Sequence, residues 1–273
     1  MSPSQVGEPA PARARVWWEV GLVLACTLGQ SAVYSLLLLV RRFLINVPLG
    51  SQATALNSTQ SAQAFWDILY QLLDIGFSLA LVGLVVYLLW DTVSPFRRIG
   101  LDLRRPARDL GSGLVIAAVI GLPGLGLYVV GRLTGLTVQV QASPLDPSWW
   151  TIPLLVLSAV RAGLQEEVIM IGYLFRRLRQ AGWNDWTIIL ASAAVRGSYH
   201  AYQGVGPIVG NFVMGVVFGW CYRRWGRVMP LVVAHAILDI VSFVGYPLAA
   251  SLWPGVFGPL PSSSSPSPSP SGS

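Results

Sequence analysis

The chain is 273 residues long, 53% hydrophobic and only 11% charged, with a mean hydropathy of +0.59. A soluble domain has about a quarter of its residues charged, so this composition excludes an ordinary water-soluble enzyme and points to a chain whose solvent is largely lipid. The net charge is +6 and every basic residue is arginine, clustered between apolar runs. That is the positive-inside pattern of a membrane protein, not the footprint of a nucleic-acid binder.

Crossing the hydrocarbon takes about 20 apolar residues. Runs of that kind fall at about 17–40, 68–90, 110–131, 149–175, 186–203, 206–222 and 228–249, which predicts an all-α, polytopic transmembrane bundle of about seven spans. The first run is too long for the core of a signal peptide and lacks a cleavage site, so it reads as a retained anchor. Residues 1–16 form an N-terminal tail, 17–148 a scaffold of about three spans, and 149–249 a core of about four. In the C-terminal segment 250–273, residues 261–273 are nearly all Ser and Pro and cannot bury a core, which predicts disorder. Segment 41–66 reads as an exterior loop. Trp17, Trp18, Trp90, Trp149, Trp150 and Trp225 lie near expected span ends, where an aromatic belt belongs. Cys26 and Cys221 sit in apolar stretches and suggest neither a disulfide framework nor a thiolate metal site.

With the N-terminus in the cytoplasm, seven spans place the arginines of 13–15, 97–108, 176–179 and 223–227 inside. Only Arg41, Arg42 and Arg132 fall outside. The expected location is a bacterial plasma membrane with that orientation, and the arginine-only basic usage suggests a GC-rich genome.

Ionisable side chains cost ~2.5 kcal/mol or more each at the centre of a span, so they normally face a cavity and a partner. The second half of the chain is rich in them. Arg161, Glu166 and Glu167 fall on the fourth span, Arg196 and His200 on the fifth, Asn211 on the sixth, and His235 and Asp239 on the seventh. His235 and Asp239 are four apart and share a helix face, as do Arg196 and His200. Glu166 and Glu167 diverge by about 100°, so one can face a cavity while the other holds a neighbouring helix. Polar glue between helices is the plain alternative reading of any one of these residues.

Three patches together resemble the CPBP family, the Abi or type II CAAX prenyl endopeptidase-like intramembrane proteases. They are Glu166-Glu167-Val168-Ile169-Met170-Ile171-Gly172-Tyr173-Leu174 for the family's EExxxRGYL, Arg196-Gly197-Ser198-Tyr199-His200 for FxxxH, and His235-Ala236-Ile237-Leu238-Asp239 for HxxxN or HxxxD. Two positions depart: Ile171 stands where the motif has Arg, and Arg196 where it has Phe. The two changes are expected to compensate, with Arg196 supplying the charge partner of Glu167.

The resemblance implies an intramembrane endopeptidase acting on a membrane-associated protein or peptide. Glu166 and His200 would activate a water, and His235 with Asp239 would stabilise or orient toward the oxyanion. Glu167 belongs to the same catalytic set, and Arg196 and Asn211 are supporting candidates. The expectation is no metal cofactor, since no HExxH is present; zinc held by Glu166, His200, His235 and Asp239 is the alternative. Rival readings are a catalytically silent scaffold or immunity-type protein, and a proton-coupled transporter, which would show repeat symmetry.

Overall fold

A computed structural model describes residues 13–45, 47–90, 94–142, 149–246 and 252–253. The Ser/Pro-rich tail and the first twelve residues lie outside the described residues. Helices dominate because a segment in lipid must satisfy its backbone internally.

The single span expected over 17–40 is two helices. These are α1 (Arg13–Ala25) and α2 (Leu28–Leu44), bent by 55° to one another. The break is at Thr27, which leaves the helical region at φ −133°, ψ −124°; its hydroxyl donates to the Val23 carbonyl at 2.6 Å. Such back-bonding offers the chain an alternative to the helical ladder. Next come α3 (Ala64–Leu88), the short α4 (Pro95–Ile99) and α5 (Pro106–Leu133). Helix α6 (Thr151–Glu167) runs through a π-helical turn, Val168–Tyr173, into α7 (Leu174–Gln180). Helix α8 (Asp185–Tyr199) is capped by Asn184, whose side chain accepts from the Thr187 amide at 3.0 Å. The last two are α9 (Val205–Trp225) and α10 (Met229–Ile240), the latter extended by a second π turn, Val241–Gly245.

The connections gather at two ends. At one, the Val228 and Met229 amides donate to the Ile99 and Gly100 carbonyls at 2.9 and 3.1 Å. Beside them Arg227 grips both oxygens of Asp109, at 3.0 and 2.6 Å, and one of Asp102, at 3.0 Å. Burial raises the Asp102 carboxyl, but Arg227 and the Arg104 amide outweigh it and hold that group below its usual range. Trp17 of α1 meets Trp183 at 5.5 Å between ring centroids, which puts the start of α1 at this arginine-rich end. At the other end the loop after α2 carries β1 (Ala53–Leu56), paired in parallel with β2 (Gln139–Ala142) from the segment after α5. Arg132 fastens the same loop by donating to the Gly50 carbonyl at 2.7 Å.

Among the described residues, α3, α5 and α9 are each long and apolar enough to cross a membrane, and the bent α1–α2 pair makes a fourth. The fold is an all-α, multi-pass membrane bundle. Seven crossings are not reached on length and composition alone, because α6, α8 and α10 are each shorter than 18 residues. Arg161, Glu166 and Glu167 interrupt the 17-residue α6; α8 has 15 residues and α10 has 12.

The π turn of α6–α7 is the centre of the core, with Val168, Ile169, Met170, Ile171 and Tyr173 sealed from solvent. Helices close on it through small residues. A Cβ at Gly163 would lie 3.0 Å from the Val232 carbonyl, so glycine there sets the approach of α10 to α6. A Cβ at Gly215 would lie 2.8 Å from Ala193 Cα, so the first glycine of Gly215-x-x-x-Gly219 sets the approach of α9 to α8.

Candidate active site

Glu166 and Glu167 close α6, and their surroundings differ as their divergence on the helix requires. The Glu167 side chain is 0% exposed. Its Oε1 accepts from Arg196 Nη2 at 2.8 Å and from His235 Nδ1 at 2.6 Å, while Oε2 is buried without a partner. Because Glu167 also carries the ion pair with Arg196, His235 is the donor and its Nδ1 bears a proton. Glu166 is 13% exposed. Its Oε2 accepts from Arg196 Nη1 at 3.2 Å and from the Tyr199 hydroxyl. The same oxygen lies 3.9 Å from Nε2 of His200 and 3.9 Å from Nε2 of His235. His235 Nε2 is in turn 3.6 Å from Asp239 Oδ2.

Arg196 is thus the charge shared by both glutamates. Its guanidinium is fully buried and lies 5.5 Å from the centroid of the Phe218 ring. His200 is not within a helix as expected: α8 ends at Tyr199 and His200 caps it at φ −94°, ψ 1°, which still turns the ring toward Glu166. Neither ring nitrogen of His200 has a hydrogen-bond partner.

A cavity of about 610 Å³ opens on these groups. Gln165, Glu166 and Arg161 form one wall, and Tyr199, His200 and Tyr202 a second. The third comes from α2, expected to be scaffold only, through Gln30, Ser31, Tyr34 and Ser35. A 3.9 Å gap between Glu166 and His200 is too long for a direct bond and suits a bridging water.

Of the sequence candidates, Glu166, Glu167, Arg196, His200, His235 and Asp239 converge, but only Glu166 and His200 are on the cavity wall. Asn211 does not join them. Its amide donates to the Pro207 carbonyl on its own helix at 3.0 Å, and it is absent from the lining. The four residues named for the zinc alternative are also not the tightest grouping among the described residues. Ligand atoms of Glu166, Glu167 and His235 come within 4.8 Å of one another, and neither His200 nor Asp239 belongs to that group.

Residues 148–241 match the family model described as type II CAAX prenyl endopeptidase Rce1-like. This segment is similar to the Rce1-like family. All three motifs lie inside the match, which bears out the resemblance read from them. Comparisons with curated proteins and with solved structures gave no match. The matched segment runs from α6 to α10 and supplies every carboxylate and imidazole of the site. The α2 wall lies outside it, and sequence reading missed that wall. The available signal was polar residues at i, i+1, i+4 and i+5 in an otherwise apolar run, one helix face. The Tyr199 hydroxyl, within the second motif, bonds Glu166 directly.

Proposed function

We propose that this protein is an intramembrane endopeptidase that hydrolyses a peptide bond in a membrane-associated protein or peptide. The observation that carries the reading is the setting of Glu166 Oε2. It is fixed by Arg196 and Tyr199, faces a cavity, and stands 3.9 Å from the His200 ring, whose nitrogens have no hydrogen-bond partner among the described residues. A water between Glu166 and His200 loses a proton to Glu166 as its oxygen attacks the scissile carbonyl carbon. His235 stands behind the cavity wall, held through Nδ1 by Glu167 with its Nε2 3.9 Å from Glu166 Oε2, and when it carries both protons that nitrogen is the donor aimed toward an oxyanion forming beside Glu166. Asp239 orients that ring. When the tetrahedral species collapses, the C–N bond breaks and Glu166 returns the proton to the leaving amine.

No metal enters this reading. Oε1 of Glu167 is already taken by Arg196 and His235, and the guanidinium lies 3.2 Å from Glu166 Oε2. A divalent cation held by these carboxylates would sit against a fixed positive charge.

The same reading takes the bundle across the plasma membrane seven times with the N-terminus in the cytoplasm. Its support is the alternation of connections between two ends, with Arg13, Arg97, Arg176 and Arg223 all falling at one of them. The fitting test compares protein termini in membranes of cells carrying wild-type protein or Glu166→Gln at equal expression. A product present with wild type and absent with the variant is the expected result. Identical termini would move the silent-scaffold reading ahead.

A further inference from the structure

Arg161 is a charged side chain of the cavity wall that the hydrolytic scheme leaves without a task. It lies five residues before Glu166, about 7.5 Å along the helix axis, and lines the same cavity. Its Nη1 donates to Gln165 Oε1 at 3.2 Å, and its buried Nε has no partner. The nearest carboxylate, Asp74, stands 3.9 Å from Nη2 and is itself 59% exposed. Glu166 does not need this cation, because Arg196 and Tyr199 already answer its charge. A guanidinium at membrane depth with donors to spare is suited to an anion, and its fork matches a carboxylate. The facing α2 side chains Gln30, Ser31 and Tyr34 are neutral, so charge selection in the cavity falls to Arg161.

We infer that Arg161 is a specificity residue that binds a carboxylate of the substrate, either its free C-terminus or an acidic side chain. An extended residue covers about 3.3–3.6 Å, so the carboxylate sits about two residues from the bond that is cut. This rests on the peptidase reading for its biological meaning, but the binding itself can be measured without turnover.

The probes are short apolar peptides made in pairs with a C-terminal acid or a C-terminal amide, each with and without one internal Glu. They are bound to full-length Glu166→Gln protein in lipid nanodiscs, which consumes nothing. Acid peptides are expected to bind about tenfold tighter than amides, the effect of a hydrogen bond to a charged group. The preference disappears when Arg161→Gln is added, falls to a fraction with Arg161→Lys, and survives Asp74→Asn. Amides rescued by the internal Glu would name a side chain as the anion; amides not rescued would name the C-terminus. Equal binding of peptides with and without a carboxylate, no binding of any peptide that carries one, a carboxylate preference that survives Arg161→Gln, or its loss in Asp74→Asn would each overturn the inference. Wild-type protein given the same peptides reports separately on hydrolysis. Peptides held through their carboxylate but never cut would sink the peptidase reading and leave Arg161 as an anion site.

Discussion

Arg196 and Glu167 meet at 2.8 Å with neither side chain open to solvent. The pair joins α8 to the last turn of α6, and through His235 Nδ1 it reaches α10 as well. Three helices of the site are registered by one buried charge pair.

Removing one partner of such a pair strands the other, at about 3–5 kcal/mol. Arg196→Phe is therefore expected to lower the thermal stability of the purified protein and abolish cleavage together. Ile171 lies four residues after Glu167 and is sealed in the core. If the two departures from the family motif compensate, adding Ile171→Arg to Arg196→Phe recovers part of the lost melting temperature. A double variant no more stable than Arg196→Phe alone would refute the compensation.

The two glutamates are expected to fail differently. Glu166→Gln keeps the Arg196–Glu167 pair and should lose about 10²–10⁴-fold in turnover, the usual contribution of a general base, with nearly unchanged melting. Glu167→Gln leaves Arg196 with one carboxylate instead of two and should lose stability first. Turnover and melting curves on both variants check this; equal stability loss in the two would make their roles indistinct.

Tyr199→Phe removes only the hydroxyl that donates to Glu166. A hydrogen bond to a charged group is worth about 1.5–3 kcal/mol, so turnover should fall at least about tenfold while the packing of the ring persists. A rise in KM with kcat unchanged would instead place that hydroxyl on the substrate.

Treatment with a strong chelator is expected to leave cleavage intact, because the fixed charge of Arg196 already sits against one oxygen of each glutamate and would repel a cation there. Activity lost on chelation and restored by zinc would overturn the metal-free scheme.

The arginine-rich end should be acid-labile. Asp102 is held below its ordinary value against burial by Arg227, and Asp185 by Arg179. A carboxyl depressed in the folded state contributes stability that is present above its unfolded value, near 3.8, and is lost as pH falls through the folded one. Melting temperature should therefore fall with pH below about 4, and Arg227→Ala, which strands the buried Asp109, should cost about 3 kcal/mol at neutral pH.

Much of this was legible in the chain alone. Apolar length and charge deficit determine a helical membrane bundle, because lipid leaves the backbone no other way to satisfy itself. The i, i+4 spacings of Arg196 with His200 and of His235 with Asp239 determine which side chains share a face, because helix geometry is local. The divergence of Glu166 from Glu167 follows from the same geometry. Tertiary structure alone decided what each of them meets. No spacing within one helix could place Arg196 between two glutamates of another, nor set His235 on Glu167 through the close approach at Gly163. The bend at Thr27 and the α2 wall of the cavity were hidden for a related reason: a polar residue in an apolar run signals a partner but not which one. Asn211 shows the reverse, a polar residue on an apolar helix that turned to its own backbone and away from the site. Periodicity is a property of one segment, and a site built from four helices depends on how they pack.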